Sequence, residues 1–287
     1  MTGDGAEPAD RCAEASAGRV LPRQIPMAPR HFSGRERELR ALSALLDDDP
    51  RTVALTVICG PRGVGKTALA VHWAHQVSDR FPDGQLYVDL RGGQDRAAAL
   101  SPAEAILGFL EAFDVPAARI PAGLEARAAL YRSLLAGKRV LIVLDGARDA
   151  AQVCPLLPGS AGCLVVVTSR NWLISLVASH GARPITLDAL SADDAREFLA
   201  RLLGPHRVAA EAAAVTELIE RCDRSPLALS TAAAYAVMSP TLPIAALLMP
   251  EFSVPSHGPR GSASRASLTG ANTLLRANPR CVAADTS

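Results

Sequence analysis

Five short apolar runs, rich in β-branched residues, recur through the first two-thirds of the chain. They cover residues 53–59, 85–90, 139–144, 163–168 and 184–187. Stretches of helical length and composition separate them at residues 67–77, 102–113 and 123–136. Residues 140–144 and 164–167 are apolar at every position, which is typical of parallel strands that helices cover on both faces. The pattern predicts an α/β doubly wound fold with a five-stranded parallel sheet flanked by helices.

The strands stop after Asp188, and a different pattern begins. Ser191 precedes two acidic residues at the start of a predicted helix, where a hydroxyl and negative charge both satisfy free backbone N–H groups. Further helices are predicted at residues 207–222 and 226–237. We therefore expect a sheet domain at residues 31–188 and a small C-terminal all-α subdomain at residues 189–250, which ends abruptly as an incomplete domain would.

Both ends of the chain lack sustained periodicity. Residues 1–30 carry prolines among small polar residues, which is typical of a linker, and residues 251–287 mix Gly, Ser, Pro, Arg and Ala. We expect both segments to be disordered. Between the linker and the first strand, residues 33–36 have the S-x-x-E form of a capping box, and leucines follow at helical spacing.

Charge and hydropathy exclude several classes of function. The chain has 30 basic and 29 acidic residues and a formal charge of +1, so it has no overall attraction to nucleic acid or anionic membranes. The apolar window at residues 231–250 is interrupted by prolines and is too broken for a membrane span. The first 18 residues lack the apolar stretch of a secretory signal. We expect a cytoplasmic protein.

The cysteines and histidines do not predict a metal site. Six cysteines are scattered without a C-x-x-C pair or a nearby histidine at ligand spacing, so neither zinc nor a disulfide framework is indicated. Cys59 and Cys163 lie in apolar runs and are expected to be small buried residues. His72 and His75 share a predicted helix, but no third ligand accompanies them.

A glycine-rich turn of the form G-x-x-x-x-G-K-T follows the first strand and opens a helix, which is the context of a Walker A phosphate-binding loop. Its glycines let backbone N–H groups approach phosphate oxygens, its lysine reaches the β- and γ-phosphates, and its threonine hydroxyl can bind Mg²⁺. We predict a P-loop NTPase sheet in the strand order 2-3-4-1-5, which binds ATP or ADP with Mg²⁺. The predicted contacts in this stretch are Gly60, Pro61, Arg62, Gly63, Val64, Gly65, Lys66, Thr67 and Ala68.

A second motif ends the third strand. Asp145 follows four apolar residues, which is a Walker B pattern, and its carboxylate would hold Mg²⁺ through the ion's water shell. The next residue is Gly146, where an acid would be needed to polarise the attacking water, so slow hydrolysis is predicted. Asp149 and Asp89 are the carboxylates that could substitute.

Arg170 closes the fourth strand after Thr168 and Ser169. The carboxyl ends of neighbouring parallel strands meet at one edge of a sheet, so Arg170 is predicted near Asp145, where a guanidinium could sense the γ-phosphate. We place Lys66, Asp145 and Arg170 in the catalytic group, and Thr67 and Asp145 at the metal. Arg91, after the second strand, is a weaker candidate by the same reasoning.

With these motifs in order, residues 22–250 resemble the NB-ARC type of STAND ATPases, most closely the nucleotide-binding module of actinobacterial transcriptional regulators of the SARP and AfsR-like kind. Residues 32–36 are similar to the family's hydrophobic-x-Gly-Arg-Glu element, which implies that Phe32 and Arg35 lie against adenine and ribose. Residues 224–229 are similar to the GLPL motif, with Arg224 and Ser225 in place of its Gly and Leu. The resemblance implies that Pro226 packs against the adenine.

The resemblance implies a nucleotide-dependent regulatory switch that acts through a protein partner or through self-association. In this family a winged-helix domain and sensor repeats normally follow, and neither is visible in this sequence, so we expect a truncated module. Three other functions stay open: an active P-loop ATPase or small-molecule kinase, a DNA-binding transcription factor, and an inert remnant of a larger regulator. The near-neutral charge and the lack of a helix-turn-helix argue against direct DNA binding.

Overall fold

The computed structural model describes residues 21–47, 52–93 and 98–249. Their contacts divide them into two compact units. The first unit contains residues 21–30, 35–61 and 66–187, and the second contains residues 31–34, 62–65 and 188–249, within the described ranges. Most of the predicted N-terminal linker and the whole of the predicted tail at residues 251–287 lie outside the described residues.

The first unit is built on a five-stranded parallel sheet in the order β2-β3-β4-β1-β5, as the sequence predicts. Every predicted strand is present, and the boundaries shift by three residues at most, because β3 continues to Ala147. The strands are β1 (Ala54–Cys59), β2 (Gly84–Asp89), β3 (Val140–Ala147), β4 (Leu164–Ser169) and β5 (Arg183–Thr186).

Helices cover both faces of this sheet, because its central strands are apolar throughout. Every residue of β4 is buried, and so is every residue of β3 except Gly146. Alternate side chains such as Ile142 and Leu144 pack into one cluster with Phe109 and Tyr131. The helices of this unit are α1 (Glu36–Ser43), α2 (Lys66–Val77), α3 (Pro102–Ala112), α4 (Leu124–Leu135), α5 (Ala150–Val153) and α6 (Ile174–His180).

Helix α6 was not predicted, because it lacks an apolar stripe. Leu176 is its only buried residue, whereas Ile174 is 71% exposed. The helix ends at Gly181, whose φ of 65° is the left-handed conformation that glycine adopts easily at a helix C-terminus. Without an amphipathic pattern, helical periodicity gives no signal in this segment.

The described part of the predicted linker lies along the edge of the sheet. The amide of Gln24 donates to the carbonyl of Gln85 (2.9 Å), and the amide of Gln85 donates to the carbonyl of Pro22 (2.7 Å). Gly84 leaves room for this pairing, since a Cβ there would lie 2.7 Å from Cγ of Pro22. These backbone hydrogen bonds cover the free edge of β2, an interaction that composition alone does not reveal.

The predicted capping box is wrong. Helix α1 begins at Glu36 after Arg35, which has a left-handed backbone (φ 71°) and makes no side-chain capping hydrogen bond. The hydroxyl of Ser33 is buried and has no hydrogen-bond partner among the described residues. The left-handed turn directs the chain away from capping geometry, in which the N-cap residue normally has an extended backbone.

The second unit is mainly helical and has its own apolar core. Ser191 caps its first long helix by accepting from the amide of Asp194 (3.0 Å), as predicted. The predicted helix at residues 207–222 is instead two helices, because Glu211 leaves the helical conformation and its carboxylate accepts from the amide of Ile244 (2.6 Å). The helices are α7 (Ala192–Leu203), α8 (Pro205–Ala210), α9 (Ala212–Arg221) and α10 (Pro226–Met238).

No helix in the described ranges is long and apolar enough to cross a membrane.

The core of the first unit contains one buried polar atom whose removal is expected to stabilise the protein. Tyr131 is fully buried, its ring stacks on that of Phe109 with centroids 5.7 Å apart, and its hydroxyl has no partner among the described residues. An unpaired buried hydroxyl costs about 1–3 kcal/mol. We therefore expect Tyr131→Phe to raise the free energy of unfolding by about 1–2 kcal/mol in urea denaturation.

The contrast for this prediction is Tyr87→Phe, which removes the same atom where the hydroxyl donates to Oδ2 of Asp145 (3.2 Å). It should not raise the free energy of unfolding, because the hydroxyl that it removes is hydrogen-bonded. A loss of stability in Tyr131→Phe would show that its hydroxyl does have a partner in solution.

Candidate functional site

The glycine-rich turn lies between the carboxyl end of β1 and the first residue of α2. Gly60, Gly63 and Gly65 have φ values of 154°, 79° and 98°, a backbone region that residues with a Cβ rarely adopt. Helix α2 starts immediately after the turn, at Lys66. Because the N-terminus of a helix carries free N–H groups and a partial positive charge, this arrangement suits an anion.

Lys66 is nearly buried and holds the start of the turn. The residue is 9% exposed. Its Nζ donates to the carbonyls of Gly60 (2.9 Å) and Pro61 (2.8 Å). Burial, and then the positive charge of Arg170, lower the pKa of Lys66. An ammonium group has three N–H donors, so one remains for an incoming phosphate oxygen.

Asp145 accepts hydrogen bonds from hydroxyl groups in three different elements. Its Oδ1 accepts from Oγ1 of Thr67 in α2 (2.7 Å) and from Oγ1 of Thr168 in β4 (2.6 Å). Its Oδ2 accepts from the hydroxyl of Tyr87 in β2 (3.2 Å). Asp145 as a whole residue is 8% exposed. The structure therefore brings Lys66, Thr67 and Asp145, all predicted from sequence, to the carboxyl edge of the sheet.

The hydroxyl of Tyr87 stays a donor because its proton is held firmly. Burial raises the pKa of Tyr87, and the negative charge of Asp145 raises it further. A phenolate beside a carboxylate in a poorly solvated site would be unfavourable. The interaction is therefore a phenol O–H bonded to a carboxylate.

Gly146 has a backbone that disfavours an acidic residue at this position. Its φ is 66°, and the register between β3 and β4 shifts between Leu144 and Ala147. The amide of Gly146 donates to Oγ1 of Thr168 (2.8 Å). A residue with a side chain would be strained here, so the fold itself explains why the position after Asp145 carries no carboxylate.

The two substitute carboxylates differ in their surroundings. Oδ1 of Asp149 accepts from the amide of Gln152 (2.9 Å) as the cap of α5, and its Oδ2 accepts from Nε of Arg148 (2.9 Å). Asp89 also accepts from a backbone amide, that of Arg91 at Oδ1 (2.9 Å). It is more exposed than Asp149 and pairs in register with Asp145, so it is the better placed of the two.

Arg170 lies in the first unit with its side chain exposed. Its Nη1 is 3.4 Å from the carbonyl of Gly93, and a Cβ on Gly93 would lie 2.6 Å from Cζ of the arginine. The guanidinium rests against the glycines that follow β2, close enough to Lys66 to influence its pKa. Its predicted role as a phosphate sensor stays a prediction.

Two other predicted contacts belong to the second unit. The carbonyl of Phe32 accepts from Nη1 of Arg201 (2.7 Å), which ties the start of the hydrophobic-x-Gly-Arg-Glu element to α7. Pro226 is the first residue of α10, and its Cγ would lie 3.8 Å from a Cβ on Gly65. Phe32 and Pro226 are thus in the same contact-defined unit as residues 62–65, whereas Arg35 belongs to the first unit.

The tip of the glycine-rich turn makes hydrogen bonds within the second unit. The carbonyl of Gly63 accepts from the amide of Leu227 (3.2 Å) and from Oγ of Ser225 (3.4 Å). A Cβ on Gly63 would lie 3.1 Å from Oγ of Ser225 and from Cβ of Leu227. The lack of a side chain at this glycine therefore allows the first turn of α10 to approach closely.

The remaining predicted contacts are placed as follows. Val64 is buried, Arg62 is exposed and Ala68 is half-buried in α2. Arg35, before α1, has Nη1 3.9 Å from Oε1 of Glu38. Contacts of these four residues with a nucleotide stay predictions.

The residues present fit a magnesium ion. Because the hydrogen of Oγ1 of Thr67 is directed to Asp145, the lone pairs of that oxygen remain available to a cation. Hydroxyl and carboxylate oxygens are the ligands that Mg²⁺ prefers, with water completing its shell. When bound, the ion would neutralise phosphate charge. Among the described residues there is no group of three or more His, Cys, Asp or Glu side chains that could hold a metal by themselves.

Two of these hydroxyl donors were missed by reasoning from the sequence. Tyr87 lies inside a predicted strand and Thr168 at the end of another, and neither belongs to a motif that would mark it as part of a site. Each lies in a strand adjacent to β3, so strand order combined with the position of each residue along its strand could have indicated them.

Comparisons with known proteins agree with this architecture. Residues 31–153 match the family model described as AAA ATPase domain. Regulatory protein AfsR of Streptomyces coelicolor is 42% identical over 228 residues, which are 77% of this chain and 22% of AfsR. AfsR of Streptomyces griseus is 44% identical over 230 residues, which are 79% of this chain and 23% of that protein. The chain thus spans less than a quarter of the length of these relatives.

A solved Walker-type ATPase of Pyrococcus abyssi superposes with a TM-score of 0.50 at 16% identity, covering 77% of this chain and 71% of that one. This likeness shows the P-loop NTPase fold. The AfsR relatives confirm the resemblance to the nucleotide-binding module of actinobacterial regulators. The chain therefore carries an AAA ATPase domain in residues 31–153, within a longer stretch that is homologous to part of the regulatory protein AfsR.

Proposed function

We propose that this chain is an ATP- or ADP-binding regulatory switch of the STAND class, with slow or no hydrolysis. The observation that carries the proposal is the cluster of Lys66, Thr67 and Asp145, in which an ammonium, a hydroxyl and a carboxylate meet ahead of a helix N-terminus. This combination matches the needs of a polyphosphate with its magnesium ion. Nucleotide binding is thus the chemistry that these groups support best.

The surroundings of Asp145 support slow turnover. A general base must reach the attacking water with a free carboxylate, and Asp145 already accepts three hydroxyl hydrogen bonds. The following position is Gly146, at a φ of 66°. A long-lived bound nucleotide is what a switch requires, because each nucleotide must stabilise one state long enough to be read.

The downstream steps of the switch are also proposals. We propose that it acts in the cytoplasm within a signalling or transcription-regulatory system, through a protein partner or self-association and without direct DNA contact. The relationship to AfsR supports a regulatory role. Regulation requires that ATP and ADP bind the states of the protein with different affinities.

The test is to purify the chain, denature it and identify any released nucleotide by chromatography. We expect ADP or ATP to be recovered, or to bind when added, with turnover far below about 1 s⁻¹, the low end of typical enzyme rates. A chain that is empty and also fails to bind added nucleotide would contradict the proposal and favour an inert remnant.

An active ATPase is the second candidate, and Asp89 is the observation that favours it. Its carboxylate is exposed at the same sheet edge, in register with Asp145. Rapid steady-state hydrolysis that is lost in both Asp145→Asn and Asp89→Asn would support this enzyme. Slow hydrolysis that is insensitive to Asp89→Asn would support the switch.

A further inference from the structure

The hydrogen bonds around Asp145 can be counted, and their directions follow from the chemistry of each group. Oγ1 of Thr168 accepts from the amide of Gly146 (2.8 Å), so its single hydrogen is free to point to Asp145, 2.6 Å away. Thr67 and Tyr87 also donate to the same carboxylate. Carboxylates only accept, so in all three contacts the hydroxyl is the donor.

A carboxylate has about four lone-pair sites, two on each oxygen. Thr67 and Thr168 occupy both sites on Oδ1, and Tyr87 occupies one on Oδ2. Among the described residues, one acceptor site of Asp145 is left, on Oδ2. Asp145 is buried, with 8% of the residue exposed, and a water molecule is small enough to serve as the donor to this site. Asp145 is therefore arranged to accept one hydrogen bond from a metal-bound water.

Among the described residues, Tyr87 alone donates a hydrogen bond to Oδ2, the oxygen of Asp145 that has this remaining acceptor site. It comes from the strand beside β3, pairing with Val143 two residues before Asp145. Its ring is long enough to bring a hydroxyl to the end of the neighbouring strand. The carboxylate turns only about its Cβ–Cγ bond, which moves both oxygens together. The hydrogen bond from Tyr87 to Oδ2 therefore acts with those of Thr67 and Thr168 on Oδ1 to fix this torsion, and without Tyr87 the direction of Oδ2 is less well defined.

We propose that Tyr87 is a positioning residue for magnesium: its hydroxyl fixes Oδ2 of Asp145, so that the carboxylate presents a single oriented acceptor to the water shell of a nucleotide-bound Mg²⁺. The inference rests on the proposed nucleotide function and adds a residue to it. Tyr87 itself touches neither nucleotide nor metal. Its effect passes through Asp145.

The test measures the affinity of the full chain for ADP by calorimetry, once with Mg²⁺ and once with EDTA. The magnesium coupling is the dissociation constant in EDTA divided by the dissociation constant in Mg²⁺. We expect Tyr87→Phe to reduce this ratio by about 5- to 10-fold. This is less than the roughly 10- to 100-fold value of a hydrogen bond to a charged group, because Tyr87 acts on the ion only through Asp145. The affinity in EDTA should stay within about 2-fold, because Lys66 and the loop are untouched.

Two further variants separate positioning from a general structural effect. Tyr131→Phe removes a phenolic oxygen in the same unit that has no partner among the described residues, and it should leave the coupling unchanged. In an Asp145→Asn background, Tyr87→Phe should add no further loss, because a residue that acts through Asp145 has no effect once that carboxylate is gone. A thermal melt of each variant confirms that it is folded.

The outcomes distinguish this proposal from the proposed function. Nucleotide binding with a magnesium coupling that Tyr87→Phe leaves intact would overturn the role of Tyr87 alone. An equal loss of affinity with Mg²⁺ and with EDTA would also overturn it, because that pattern reports damage to the loop. Failure of the unmodified chain to bind nucleotide under either condition would overturn both.

Discussion

Lys66→Ala is expected to weaken ADP and ATP binding by about 100-fold, whether or not Mg²⁺ is present. The substitution removes a charge-assisted contact to phosphate, worth about 1.5–3 kcal/mol. It also removes the hydrogen bonds that Nζ donates to the carbonyls of Gly60 and Pro61. The loop therefore loses two internal hydrogen bonds in addition to its positive charge. Titration of purified chain with a fluorescent nucleotide, in Mg²⁺ and in EDTA, measures the effect.

Lys138 is the only other lysine in the chain and supplies the matched control. Its carbonyl accepts weakly from Sγ of Cys163 (3.5 Å), a backbone contact that alanine preserves. Lys138→Ala removes the same charge from the chain and should leave nucleotide affinity within about 2-fold. Unchanged affinity in Lys66→Ala would mean that the ammonium does not bind phosphate, and the proposed function would fail with it.

The parts of the site that could be predicted are formed by residues that are adjacent in the sequence. The Gly-rich turn and Lys66 form a local pattern whose backbone requirements allow few alternatives. Asp145 follows the same reasoning, because an apolar strand that ends in a carboxylate delivers that group to the sheet edge. The two apolar faces of the sheet follow from continuous apolar runs in its central strands, and the strand order is predicted together with the P-loop motif.

The features that escaped prediction depend on distant residues or on backbone angles. The contact of Tyr87 with Asp145 requires β2 to lie beside β3 in one particular register. The pairing of Gln24 with Gln85 requires a free edge on β2. The capping box at residues 33–36 has the right letters, yet the left-handed Arg35 places them in the wrong geometry. Sequence spacing cannot report such angles.

Gly92→Ala should destabilise the protein by about 1–3 kcal/mol, the typical range for overpacking. A Cβ on Gly92 would lie 2.4 Å from the amide nitrogen of Arg148 and 2.5 Å from the carbonyl of Gly146. Both are backbone atoms, so a rotamer change cannot relieve the clash. The amide of Gly92 also donates to the carbonyl of Gly146 (2.8 Å), and that hydrogen bond would be disturbed.

Gly108→Ala is the same substitution at a position where we expect the free energy of unfolding to rise. It lies inside α3, is exposed, and has no atom within 4 Å of a Cβ built upon it. Alanine is favoured over glycine in a helix interior by about 0.5–1 kcal/mol, so Gly108→Ala should raise the free energy of unfolding by that amount. Urea denaturation measures the free energy of unfolding of both variants.

A Gly92→Ala variant as stable as the unmodified chain would show that residues 90–93 lie farther from β3 than in this structure. In that case, the placement of Arg170 against Gly93 would also have to be revised.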